Sequence, residues 1–249
     1  MKSTRRMFII SSLAVAIVIH THTASAAESL INRGLDMLRK KDGNKDTSLS
    51  NDDMIAGIRE ALNLGATKVA NQLGKTDGFN ADPAIHIPLP PKMNSVKTAL
   101  ARVGMAGSLE DLEVRLNRAA EAATPVTKQL FLDSIKSMTM TDVASILRGN
   151  KDAATQYFKR TMSPGLSTSM QPIVKQSLTE VGALKIYDQV MARYNGLPLV
   201  PKIDLNLNDY VVQNAMNGIF HYLGQEEAAI RDNPVARTTD LLKRVFGAV

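Results

Sequence analysis

An all-α fold, a multi-helix bundle of roughly eight to ten helices with Pro-rich extended connections, is what this sequence predicts. Apolar residues recur at alternating threes and fours in segment after segment, the spacing of one helix face. Capping residues and Gly or Pro punctuate the chain at helix-length intervals, while strand-like runs are short and interrupted by proline. No internal repeat of solenoid length is present.

The chain opens with Lys2, Arg5 and Arg6, then an apolar run from Met7 to Ile19, then Ala24-Ser25-Ala26. This is the pattern of a secretory signal peptide over residues 1–26, cleaved after Ala26. The run falls short of the about 20 apolar residues that a membrane span needs. No long apolar stretch follows it, so the mature chain is expected to be soluble in the periplasm, without a transmembrane segment. Thr4 to Ile9 also resembles a twin-arginine export signal, although the long aliphatic core suits the ordinary secretion route better.

From Glu28, Leu30, Ile31, Leu35 and Leu38 keep helical spacing, and Arg39-Lys40-Lys41 suits a helix C-terminus. With the polar stretch that follows, residues 27–49 form an N-terminal helix and loop, and residues 50–249 the main helical domain. Ser50 reads as an N-cap with Asp52 and Asp53 in the first turn, and Ile55, Ile58, Leu62, Gly65, Val69 and Leu73 form the seam of a long helix. Asp77-Gly78 marks a turn. Residues 84–91, with Pro88, Pro90 and Pro91 alternating with apolar positions, predict an extended segment laid over helices.

Helix resumes over 94–103. Ser108 to Asp111 resembles a capping box for a helix with seam Leu109, Leu112, Leu116, Ala119 and Ala123, kinked or restarted at Pro125 and continuing through Phe131 and Met138. Shorter helices are expected over 141–147, 151–162, 164–181 and 183–194. A second Pro-rich link covers 196–201, a helix runs from about 208 to 231, and a last one starts at Pro234 and ends at Phe246.

Composition narrows the function classes. The net charge of +6 comes from 30 Lys and Arg against 24 Asp and Glu. Removing the three basic residues of the leader leaves 27 against 24, a net +3, so a nucleic-acid partner loses its electrostatic footprint. With no cysteine there is no disulfide, no thiolate chemistry and no lipid at the cleavage site. Aromatic residues make up only 4% and Trp is absent, which leaves few stacking platforms for sugars or bases.

Catalytic signatures are sparse. Of four histidines, only His86 and His221 lie beyond the leader; neither has an H-E-x-x-H partner or a G-x-S-x-G serine, and phosphate-binding glycine motifs are absent. His86 is expected to tip the extended segment and His221 to edge the core. Asp42, Asn44, Asp46 and Asp53 outline a calcium loop that lacks its sixth-position Gly and twelfth-position Glu, so a polar loop followed by an N-cap explains them. No metal and no cofactor are expected.

Two polar clusters stand out. Asn117, Arg118 and Glu121 share a helix with small alanines, and Glu113 extends their row; Glu226, Glu227, Arg231 and Arg237 flank the final helix-turn-helix. Ion pairs that fix one helix against another account for such residues, and so does a ligand-binding pocket.

Asp77-Gly78-Phe79, Ile87 to Pro90, Leu116 to Glu121, Ala153-Ala154-Thr155 with Tyr157-Phe158, and Glu226-Glu227 through Ile230-Arg231, Pro234, Arg237 and Leu241 to Gly247 stand in an order that resembles one known family. It is a family of exported bacterial proteins catalogued only as a domain of unknown function, with a helical fold. The resemblance covers nearly all of residues 50–249 and implies a periplasmic protein, with no activity or catalytic residue attached. The expectation is a non-enzymatic module that binds a small ligand or an envelope protein through Asn117, Arg118, Glu121, Glu226, Glu227, Arg231 and Arg237. The alternatives are an envelope hydrolase using Glu121 and Glu226 as paired carboxylates, and a membrane-surface module using the helix over 234–246.

Overall fold

A computed structural model describes residues 50–102, 106–233, 239, 240 and 243 of the chain, all within one compact unit spanning 49–249. The expected signal peptide, the expected helix over 28–41, the calcium-loop acids before Ser50, Arg237 and most of the expected last helix over 234–246 lie outside the described residues. Among the described residues there are seven α-helices, one 3-10 turn and no strand: α1 Asn51–Leu73, the 3-10 turn Pro91–Met93, α2 Asn94–Ala101, α3 Ala106–Ser137, α4 Met140–Arg148, α5 Ala153–Glu180, α6 Ala183–Asn195 and α7 Leu207–Asp232. The fold is all-α.

Among the described residues there are fewer helices than the punctuation suggests, because prolines are absorbed rather than obeyed. α3 runs unbroken across Pro125, and α5 contains both Pro164 and Pro172, so the segments expected on either side of Pro164 are one helix. A proline withholds one N–H and crowds the preceding turn at a cost of about 3 kcal/mol. Burial of Leu166, Met170, Val174 and Leu178 along the same face of α5 offsets it, at roughly 1.5 to 3 kcal/mol per side chain. Ser108 sits inside α3, which starts two residues earlier. A capping box does occur, at the start of α4: the Thr139 hydroxyl accepts from Asp142 N–H at 3.2 Å, and the Asp142 carboxylate accepts from Thr139 N–H at 2.8 Å.

The four long helices α1, α3, α5 and α7 pack side by side around one core, with α4 against α1 and α5, and α6 against α3, α5 and α2. The expected seams point inward: Ile58, Val69 and Leu73 of α1, and Leu109, Leu112, Leu116, Ala119 and Ala123 of α3, are all buried. Phe131 of α3 meets Phe158 of α5 and Phe220 of α7 edge-on, at ring-centroid distances of 5.5 and 6.2 Å. His221, next to Phe220, is exposed and not at the core edge, because Phe220 and Leu223 take the inward positions of that turn.

Residues 77–90 form a strap across α3 and α7. Phe79, Ile85 and Ile87 are its buried anchors. Gly218 of α7 is where it passes closest: a Cβ there would stand 2.7 Å from the Phe79 ring and 3.2 Å from Ile85 Cβ. Glycine is therefore what lets the strap lie against the helix.

Candidate functional site

The first polar cluster is the seat of the strap. An extended segment with alternating prolines has backbone groups that no ladder pairs, and those facing the core need partners. Asn117, fully buried, supplies two: its Oδ1 accepts from Ile87 N–H and its Nδ2 donates to Ile87 C=O, both at 2.8 Å. One side-chain amide thus imitates a neighbouring strand. One turn along, the buried Glu121 carboxylate accepts from Phe79 and Asn80 N–H, each at 3.1 Å, through Oε1, and from the Arg118 guanidinium at 2.8 Å through Oε2.

Arg118 reaches on to Asp77 Oδ1 at 2.8 Å. The Asn80 amide and then this guanidinium hold the Asp77 carboxyl below its ordinary range, and the Glu121 carboxylate in turn raises Arg118. At the outer end, Glu113 takes Leu89 N–H at 3.0 Å and His86 at 3.0 Å. From α7, Tyr210 donates to Pro88 C=O at 3.0 Å and Tyr222 donates to Asp82. The Asp82 hydrogen bond, followed by burial, pushes the Tyr222 hydroxyl up.

The second cluster joins helix ends. Asp152 precedes α5 but makes no side-chain cap; the Glu227 carboxylate of α7 caps α5 from across the fold. It accepts from Ala154 and Thr155 N–H at 2.9 Å each and from the Thr155 hydroxyl at 3.0 Å. A carboxylate at a helix N-terminus meets free N–H groups and the positive end of the dipole. Arg231, one turn along α7, donates to Glu227 at 3.0 Å and to Ile146 C=O at 2.7 Å, closing the C-terminal end of α4. Glu226 points to α1, where Lys68 Nζ lies 2.6 and 2.8 Å from its two oxygens.

The structure therefore brings Asn117, Arg118 and Glu121 together at the strap, and Glu226, Glu227 and Arg231 together at the meeting of α1, α4, α5 and α7. Sequence reading missed what they hold: the strap backbone, Asp77, and the ends of α4 and α5. An Asp82-Pro83 turn, whose Asp82 Oδ1 takes Ala84 N–H at 2.9 Å, was the local sign that the strap corner is built.

The second cluster rims a narrow cleft lined by Ile58, Ala61, Leu62, Phe158, Leu223 and Ile230 among others. Its cavity volume is about 30 Å³, so it is a slot and not a chamber. Two wider, open grooves lie elsewhere. One of about 450 Å³ between α5 and α7 is lined by Lys159, Ser163, Gln213 and Asn217, and one of about 470 Å³ by Lys175, Tyr187, Asp188 and Asn208. Neither is lined by an expected site residue. Among the described residues no group of three or more His, Asp or Glu is placed to hold a metal ion, and no helix is long and apolar enough to cross a membrane.

The model of a family described as "Protein of unknown function (DUF4197)" matches residues 48–247. No curated protein and no solved structure matches the chain.

Proposed function

This chain belongs to the DUF4197 family of proteins of unknown function, and we propose that it is a non-enzymatic periplasmic binding module. Its site is the cleft between α1, α4, α5 and α7, and its ligand is a small molecule with a slender apolar group. The observation that carries this reading is the contrast between the cleft's wall and its rim. The wall is aliphatic and aromatic, from Ile58, Leu62, Phe158, Leu223 and Ile230. Every carboxylate oxygen at the rim is already engaged, Glu227 with α5 and Arg231, and Glu226 with Lys68.

Such a site offers apolar burial, worth about 25 cal/mol per Å², and no free acid, base or nucleophile. The envelope-hydrolase reading draws less support, since a general acid at Glu121 would have to surrender two backbone N–H groups and Arg118 to reach a substrate. The membrane-surface reading rests on the helix expected over 234–246, most of which lies outside the described residues.

Native mass spectrometry of the chain recovered from the bacterial envelope tests the proposal, with Ala61→Leu as the variant that fills the slot. A small-molecule adduct on the wild-type chain that is lost in Ala61→Leu is expected. A wild-type chain recovered bare, or an adduct equally present on a folded Ala61→Leu chain, would overturn it.

A further inference from the structure

His86 stands between two acceptors. Its Nδ1 lies 2.9 Å from the Asn80 carbonyl oxygen and its Nε2 lies 3.0 Å from Glu113 Oε1. A carbonyl oxygen only accepts, and so does an ionised carboxylate, so both contacts are hydrogen bonds at once only while both ring nitrogens carry a hydrogen. A neutral imidazole has a single N–H, so it can serve only one of the two oxygens and turns a lone pair toward the other. The pair of contacts is complete only while the ring carries its second proton. Glu113 Oε2 meanwhile takes Leu89 N–H at 3.0 Å, so the same carboxyl fastens the ring and the strap backbone to α3.

We propose that His86 and Glu113 form a proton-dependent latch on the outer half of the strap. The groups that face it come from three elements. On the strap itself, Asp82 takes His86 N–H on its carbonyl at 2.8 Å, and its carboxylate is engaged by Tyr222 of α7. On α3, the acid is Glu113, in ion-pair contact with the ring. On α7, Tyr210 donates to Pro88 C=O, and burial followed by the charge of Glu113 raises its hydroxyl, which keeps it a neutral donor.

The ring and carboxyl side chains are 28% and 32% exposed, so water reaches both and protons exchange freely. The inner anchor works differently. Ile87 is fully buried and held by the Asn117 amide, which does not titrate. The sign follows: both contacts hold in acid, and the latch loosens once the ring gives up its second proton, because one of the two oxygens then loses its donor. Only the stretch beyond Ile87, from Pro88 into the 3-10 turn, loosens.

Amide hydrogen exchange at Leu89, corrected for intrinsic rate, together with nitrogen NMR of the His86 ring from pH 5.5 to 8.5, tests the latch on the purified chain. The expected wild-type result is protons on both ring nitrogens at low pH and a loss of Leu89 protection of about fivefold at high pH, the size that an ion pair of this exposure supports. Glu113→Gln replaces the carboxylate by an amide that donates to neutral Nε2 while its oxygen takes Leu89 N–H, so its protection should not change with pH. Leu89 protection that is flat with pH in the wild type, or a Glu113→Gln chain that loses protection in parallel with it, would overturn the proposal; the wild-type arm stands alone if the variant does not fold.

Discussion

Glu227→Ala is the substitution that most sharply separates a carboxylate that builds the fold from one kept for a ligand. Glu227 accepts five hydrogen bonds: Ala154 N–H, Thr155 N–H, the Thr155 hydroxyl, and Nε and Nη2 of Arg231. If it were only an N-cap, its loss would cost about 1 kcal/mol. Here the side chains of Glu227 and Arg231 are 7% and 12% exposed, so removal also takes the carboxylate from a nearly buried guanidinium. Breaking a buried pair from one side costs about 3 to 5 kcal/mol, a large part of the roughly 5 to 15 kcal/mol that holds a domain together. Arg231→Met should cost less, about 1 to 2 kcal/mol, because the anion left behind still has the α5 N-terminus and Thr155. Urea unfolding followed by far-UV circular dichroism gives both values from midpoints at constant m. A Glu227→Ala penalty below about 1 kcal/mol, or an Arg231→Met penalty that exceeds it, would refute the reasoning.

Other positions give separate tests. Asn117→Ala removes both partners of the Ile87 peptide and should lower stability by about 2 to 3 kcal/mol while raising amide exchange at Ile87. Gly218→Ala should destabilise by about 1 to 2 kcal/mol in the same denaturation assay, since overpacking against Phe79 and Ile85 outweighs the helix propensity gained. Gly165→Ala, on the same kind of helix interior but with nothing within 4 Å of the new methyl, should stabilise by up to about 1 kcal/mol. The Thr139 hydroxyl, and then its backbone N–H, hold the Asp142 carboxyl below its ordinary value of 3.8. A depressed acid contributes stability above its unfolded value and loses it as pH falls through the lower folded one. Wild type should therefore lose its advantage over Asp142→Ala only below about pH 4, as thermal melts of the two chains across pH would show.

What could be read from the sequence depended on how far apart the cooperating residues stand. The α1 cap at Ser50 and the seam of α3 were legible because both are written within a few turns of one helix, where spacing alone determines which residues meet. The prolines misled because a local rule prices Pro164 at its own position, whereas the apolar face that carries α5 through it is summed over 28 residues. The polar clusters could be found but not interpreted. Asn117 and Glu121 were recognisable as odd residues on an alanine-rich face, yet the groups they satisfy, Ile87 and Phe79, lie 30 and 42 residues away in the chain. Glu227 is further still from Thr155, by 72 residues.

A buried amide or carboxylate paired with distant backbone has the same sequence signature as a ligand site, because each is a polar residue set among small apolar ones. The strap makes this confusion inevitable here. A helical core crossed by an extended segment must find acceptors and donors for peptides that no helix or ladder pairs. The side chains best suited to that task, Asn and Glu, are also those best suited to binding and catalysis. Which role such a residue fills is decided by where its oxygens are spent, and in this fold Asn117, Glu121 and Glu227 spend theirs on backbone N–H groups.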